Sequence, residues 1–174
     1  MEVSGSRRIA ARREVVWAAL SDPEVLRRSI PGCTSVTGNV SEGFEATVSQ
    51  KVGPIGASFT GRLTLAEMRP PEACTILGEG TGGAAGLASG SAAVNLAEAE
   101  GGTLLSYDVT ARVDGKLAKL GTRVIAGFAS RLAEGFFDRF RAAVEPQPNG
   151  PAVAEERAPW SRAGWLGRLT RGKG

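Results

Sequence analysis

Residues 103–144 read TLLSYDVTARVDGKLAKLGTRVIAGFASRLAEGFFDRFRAAV, and within them the apolar period changes from two to about 3.6. In the first part, Leu105, Tyr107, Val109, Ala111 and Val113 alternate with Ser106, Asp108, Thr110 and Arg112. Such alternation is that of a strand with one buried and one wet face. In the second part, Leu117, Leu120, Val124, Phe128, Leu132, Phe136, Phe140 and Val144 recur at steps of three or four. That spacing predicts one long amphipathic helix over Lys116–Val144, with Arg123, Arg131, Glu134, Asp138 and Arg141 largely off the stripe. Four of the six phenylalanines lie in this helix. A half-wet strand running into a helix with so greasy a face predicts a sheet covered on one side by that helix.

Working outward, the same alternation recurs upstream. Phe44, Ala46 and Val48 alternate with Glu45, Thr47 and Ser49, and Phe59, Gly61, Leu63 and Leu65 with Ser58, Thr60, Arg62 and Thr64. Weaker strands fit residues 73–80 and 88–97, with Pro54, Pro70-Pro71 and Gly101-Gly102 as turns. Val3–Ile9 reads as a short strand and Val15–Leu20 as a brief helix. Asp22-Pro23-Glu24 starts a second helix with an N-cap, a proline in the first turn and an acid. Ile30-Pro31-Gly32-Cys33 ends it. The expected fold is α+β: a curved antiparallel sheet wrapped around a long C-terminal helix, with two short helices after the first strand.

Composition bounds the chemistry. Among 174 residues there is no histidine, so Ser-His, Cys-His and histidine-metal sites are excluded. Cys33 and Cys74 make neither a disulfide framework nor a metal cluster. Cys33 has no paired base nearby in sequence, so burial is its expected role. The single tyrosine, Tyr107, lies on an inward face, where its hydroxyl either polarises a carbonyl in a cavity or, as the better reading, satisfies a core hydrogen bond. No catalytic residue and no metal ligand is assigned. Gly78-Glu79-Gly80-Thr81-Gly82-Gly83 matches the dinucleotide pattern G-x-G-x-x-G, but a weak helix former and a strand follow it. The better account is that side chains stay small where a ligand or the long helix approaches the sheet.

The net charge of +3 is unevenly placed. Residues 1–145 carry 16 basic and 16 acidic side chains, whereas residues 146–174 carry 5 and 2. A neutral domain lacks the cationic excess that nucleic acid demands, so no nucleic-acid partner is expected. The expected organisation is a domain over 1–145, a Pro-rich linker over 146–158 and a basic, Trp-containing tail over 159–174. Wound as a helix, the tail gathers Trp165, Leu166 and Leu169 on one arc, with Trp160 ahead of them. Arg162, Arg168, Arg171 and Lys173 then flank that face, an arrangement suited to an anionic bilayer. A solvated tail and a tail docked in a partner's groove are the other readings. No apolar run approaches the roughly 20 residues of a membrane span, and the N-terminus lacks a secretory h-region, which points to a cytoplasmic setting.

Five segments, taken together, resemble the CoxG family of carbon monoxide dehydrogenase subunits, within the START-like (SRPBCC) helix-grip superfamily. They are Val16–Leu26, Ile30-Pro31-Gly32-Cys33, Lys51-Val52-Gly53-Pro54-Ile55, Gly78–Gly86 and Gly115–Arg123, in that order. The resemblance implies a helix-grip fold with an internal cavity. It also implies an accessory role for a molybdenum carbon monoxide dehydrogenase, linking that enzyme to the cytoplasmic membrane. For the cavity we expect Leu117, Leu120, Val124, Phe128, Leu132 and Phe136 from the helix, facing Phe59, Leu63, Tyr107 and Val109. Its mouth is expected at Ile30, Pro31 and Gly32 and at Gly82, Gly83 and Leu87. The expected ligand is an apolar carrier such as a respiratory quinone, with menaquinone as the first candidate. The competing expectations are a tether with a solid core and a cyclase- or hydratase-like enzyme on the same fold.

Overall fold

The computed structural model describes residues 1–146. The tail contacts expected at Trp160, Arg162, Trp165, Leu166, Arg168, Leu169, Arg171 and Lys173, and nearly all of the linker, lie outside the described residues. Met1–Val144 forms one compact unit.

Seven strands make a single antiparallel sheet: β1 (Glu2–Ile9), β2 (Cys33–Asn39), β3 (Gly43–Val52), β4 (Ile55–Arg69), β5 (Ala73–Thr81), β6 (Leu87–Ala99) and β7 (Gly102–Asp114). Their order is β1-β7-β6-β5-β4-β3-β2, so β2 to β7 form a meander of hairpins while β1 joins the far edge beside β7. The connection from β1 to β2 must therefore cross from one edge to the other. It carries α1 (Arg13–Leu20) and α2 (Pro23–Ser29). The first residues of α2 behave as the sequence predicts: the Asp22 carboxylate accepts a hydrogen bond from the Glu24 backbone N–H at 2.9 Å, with Pro23 in the first turn. The edge strand β2 was not expected. Val36 is its only aliphatic residue and most of its side chains are exposed, so no alternation marks it.

The long helix is shorter than its stripe suggests. A 3-10 segment spans Gly115–Leu120, and α3 proper spans Thr122–Val144. The backbone breaks at Gly115 and Gly121, with φ of +82° and +92°. Both values are left-handed, which glycine adopts without the Cβ penalty that other residues meet. The break turns Leu117 inward, where it is buried.

Two packed clusters hold the layers together. One gathers Ile9, Val16, Ala19, Leu96, Leu105, Tyr107, Phe137 and Phe140 around the C-terminal half of α3. In it Tyr107 stacks on Phe137 at 5.2 Å and Phe136 on Phe140 at 5.6 Å. The other cluster joins Val52, Ala85 and Leu117 at the opposite end of the sheet, with Phe59, Leu120 and Phe128 against it. Between the two, the N-terminal half of α3 stands off from the sheet.

Candidate functional site

That gap is a cavity of about 460 Å³. Its wall on the sheet side follows from pleating, since alternate residues of each strand point to the same face. Strand β3 contributes Ala46, Val48, Gln50 and Val52, and β4 contributes Phe59, Gly61 and Leu63. Ile76, Gly78 and Gly80 of β5, Ala88, Gly90 and Ala92 of β6, and Val109, Ala111 and Val113 of β7 continue it. Leu117, Ile125, Phe128 and Leu132 close the helix side, and Ile30 reaches in from the end of α2.

The centre of the sheet wall is bare. Gly61 pairs with Gly80 across β4–β5, and Gly78 with Gly90 across β5–β6, so four inward positions in register carry no side chain. A Cβ at Gly61 would sit 2.8 Å from the Glu79 carbonyl oxygen, and one at Gly90 would sit 2.5 Å from that of Thr110. The neighbouring strand's backbone, not α3, is what crowds these positions. Glycine thus lets the sheet coil tightly and leaves the concave face empty. It also brings Arg62, Glu79, Ser89 and Ser91 onto the lining. Alternation sends their side chains to the outer face, where Arg62 pairs with Glu45 at 3.1 Å.

Of the residues expected here, Leu117, Phe128, Leu132, Phe59, Leu63, Val109 and Ile30 line the cavity. Leu120 and Val124 do not. The break at Gly121 directs both toward the β3–β4 turn, within 3.8 and 3.6 Å of where a Gly53 Cβ would stand, and Val124 is 40% exposed. Phe136 and Tyr107 belong instead to the packed cluster around Phe137. The Tyr107 hydroxyl lies against Gly5 and makes no hydrogen bond to a described residue, so the core hydrogen bond expected of it is not formed. Pro31 and Gly32 sit behind Ile30, against Gly135 of α3 and the Ser49 backbone respectively. Gly82 presses on the Phe59 ring, whereas Gly83 faces open space and Leu87 is 54% exposed. The G-x-G-x-x-G stretch spans the end of β5 and a 3-10 turn over Gly83–Ala85, with no helix for a pyrophosphate.

Sequence reasoning missed Ile125, the Gln50–Val52 end of β3 and the glycine wall as a unit. The signal for β3 was present, because continuing its alternation past Val48 reaches Gln50 and Val52. The glycine wall depends on strand register, which no single segment encodes.

The chemistry available is that of binding. Burial pushes the Cys33 thiol up from its ordinary range, and its Sγ donates to the Ser35 carbonyl oxygen at 3.4 Å; neither activates a nucleophile. Burial also pushes up the Cys74 thiol. Among the described residues no group of three or more histidines, cysteines or carboxylates is placed to hold a metal ion. No described helix is long and apolar enough to cross a membrane.

A meander that curls over a C-terminal helix and leaves an apolar hollow between them defines a helix-grip protein. Residues 5–145 match the CoxG family of carbon monoxide dehydrogenase subunits, and the chain belongs to that family. Membership suggests an accessory role to carbon monoxide dehydrogenase. No curated protein matches the chain. Among solved structures it is similar to a conserved protein from Geobacillus kaustophilus, with 26% identity and a TM-score of 0.77 over 83% of this chain and 95% of that one. A Chromobacterium violaceum protein shares the fold at 20% identity and a TM-score of 0.62, over 84% and 98% of the two chains. An AHSA1-like protein from Aeromonas hydrophila does so at 20% identity and a TM-score of 0.53, over 87% and 100%.

Proposed function

We propose that this protein serves a molybdenum carbon monoxide dehydrogenase at the inner face of the cytoplasmic membrane by holding a respiratory quinone, menaquinone first among the candidates, in its cavity. The observation that carries the reading is the hollow of about 460 Å³ lying between two packed clusters. A tether needs no such space, and its volume falls in the range of roughly 300–1,000 Å³ used by sites for small organic ligands. Oxidation of carbon monoxide with water yields carbon dioxide, two protons and two electrons. A quinone takes up two electrons and two protons to become a quinol, and its isoprenoid chain suits an apolar hollow. The protein itself moves no electrons in this scheme. It shields the carrier between bilayer and enzyme, and the basic tail around Trp160 and Trp165 supplies the membrane contact.

The test is to purify the full chain from its native host, extract it with organic solvent and identify what is released by mass spectrometry. A quinone or quinol in the extract, and a raised Tm when menaquinone is added back to stripped protein, are the expected results. Absence of any lipid or quinone, together with an unmoved Tm, rules the carrier role out.

A further inference from the structure

One polar side chain points into the hollow. Ala46, Val48, Gln50 and Val52 share the inward face of β3, and only Gln50 among them can form a hydrogen bond through its side chain. The other polar residues on the lining reach it from outward-facing positions, as Arg62 does, beside the glycines of the sheet wall. Gln50 is half-buried, next to Ile30 and Pro31, so it sits at one end of the cavity.

Its carboxamide is only partly used. Nε2 donates to the Pro31 carbonyl oxygen. A carbonyl only accepts, so the nitrogen of Gln50 must be the atom that faces Pro31. The second N–H and Oε1 are left, and neither meets a hydrogen-bond partner among the described residues. Pro31 is itself held: Gly32 accepts from the Ser49 N–H at 2.9 Å, and a Cβ at Gly135 of α3 would lie 3.0 Å from Pro31 Cγ. The Pro31 contact therefore fixes the rotamer of Gln50 and aims its free N–H. A fixed donor in an apolar surround discriminates strongly, because a ligand without an acceptor leaves it unpaired.

We propose that Gln50 is the specificity determinant of the cavity, donating its free Nε2–H to a carbonyl oxygen on the polar head of a ligand whose apolar body lies along the glycine wall. This rests on the ligand-holding reading above and names the group that selects the head. A ligand in its hydroxyl form is served by the same carboxamide, with Oε1 accepting.

The experiment compares two probes on the full chain, menaquinone with a short isoprenoid tail and squalene, which has a comparable apolar body and no carbonyl. Gln50→Leu keeps the side-chain bulk and removes the donor. The expected result is a loss of about three- to tenfold in menaquinone affinity with squalene changed less than about twofold, the ratio for one hydrogen bond. Infrared spectra of bound menaquinone add a readout that a purely structural role would not move: the carbonyl band shifts toward its unbonded position in Gln50→Leu and stays in Gln50→Asn only if the shorter amide still reaches. Equal losses for both probes, or no loss for either with an unshifted band, overturn the assignment to Gln50 and leave the cavity's ligand role standing. Wild-type protein that takes up squalene but not menaquinone overturns it as well, and protein that takes up neither overturns both readings.

Discussion

Phe128 and Phe140 are the same side chain on one face of one helix, about three turns apart, yet they meet different surroundings. Phe140 is fully buried, while Phe128 has one side on the hollow. Truncating Phe140 leaves a new void in a packed cluster, and Phe140→Ala should cost about 3–5 kcal/mol. Phe128→Ala enlarges a void that already exists and forfeits fewer contacts, so it should cost about half as much or less. Denaturant unfolding of the two variants measures the difference; equal costs would mean that the helix lies flush with the sheet at Phe128. The cysteines supply a pH test at the same scale. Burial raises the Cys74 thiol in the native state, and that of Cys33 as well. A raised native pKa means the folded protein holds the proton more tightly than the unfolded chain. This contribution to stability is complete below the unfolded thiol's pKa, about 8.5, and is lost as pH rises through the native value. Stability should therefore fall on the alkaline side, and the double variant Cys33→Ala/Cys74→Ala should fall less steeply in urea melts taken across that range.

Elements with strong local signals were the legible ones. Strands β3, β4 and β7 announced themselves because one face of each is apolar and the other is not, and α2 because its first three residues satisfy its orphan backbone groups. Asp22→Ala should cost about 1 kcal/mol, whereas Asp22→Asn, which keeps an acceptor for the Glu24 N–H, should cost far less. Chemical denaturation of both separates capping from general disturbance, since a similar loss in each would assign the effect to the carboxylate's charge. The break between the 3-10 segment and α3 was hidden because the stripe Leu117, Leu120, Val124, Phe128 satisfies helical spacing throughout. Apolar period reports which residues seek cover, not whether the backbone between them is continuous. Gly121 was the available clue, followed as it is by Thr122, and its φ of +92° shows why it stands there. β2 gave no clue, since an edge strand with both sides wet need not alternate.

At the scale of the whole molecule the site was half legible. Residues that face the hollow from strongly patterned segments, such as Phe59, Leu63, Val109 and Phe128, could be read directly. What set the limits of the hollow could not, because it depends on where α3 meets the sheet. The helix packs down through Phe137 and Phe140, rides over the glycine wall, and is propped again by Leu117. The same division between body and tail yields the last prediction. The domain is electrically balanced and the excess charge lies in residues 146–174. If the tail makes the membrane contact, a chain ending at residue 146 should keep its Tm and its menaquinone binding, because every residue of the two clusters and of the cavity lies before that point. It should lose sedimentation with vesicles containing anionic lipid, and the intact chain's binding should weaken with added salt, as screened attraction to headgroups does. Vesicle binding that survives the truncation would move the contact onto the domain. Lys51, Lys116, Lys119 and Arg123, near the exposed Val124 at one end of the sheet, would then be the cations to replace, because no carboxylate pairs with them among the described residues.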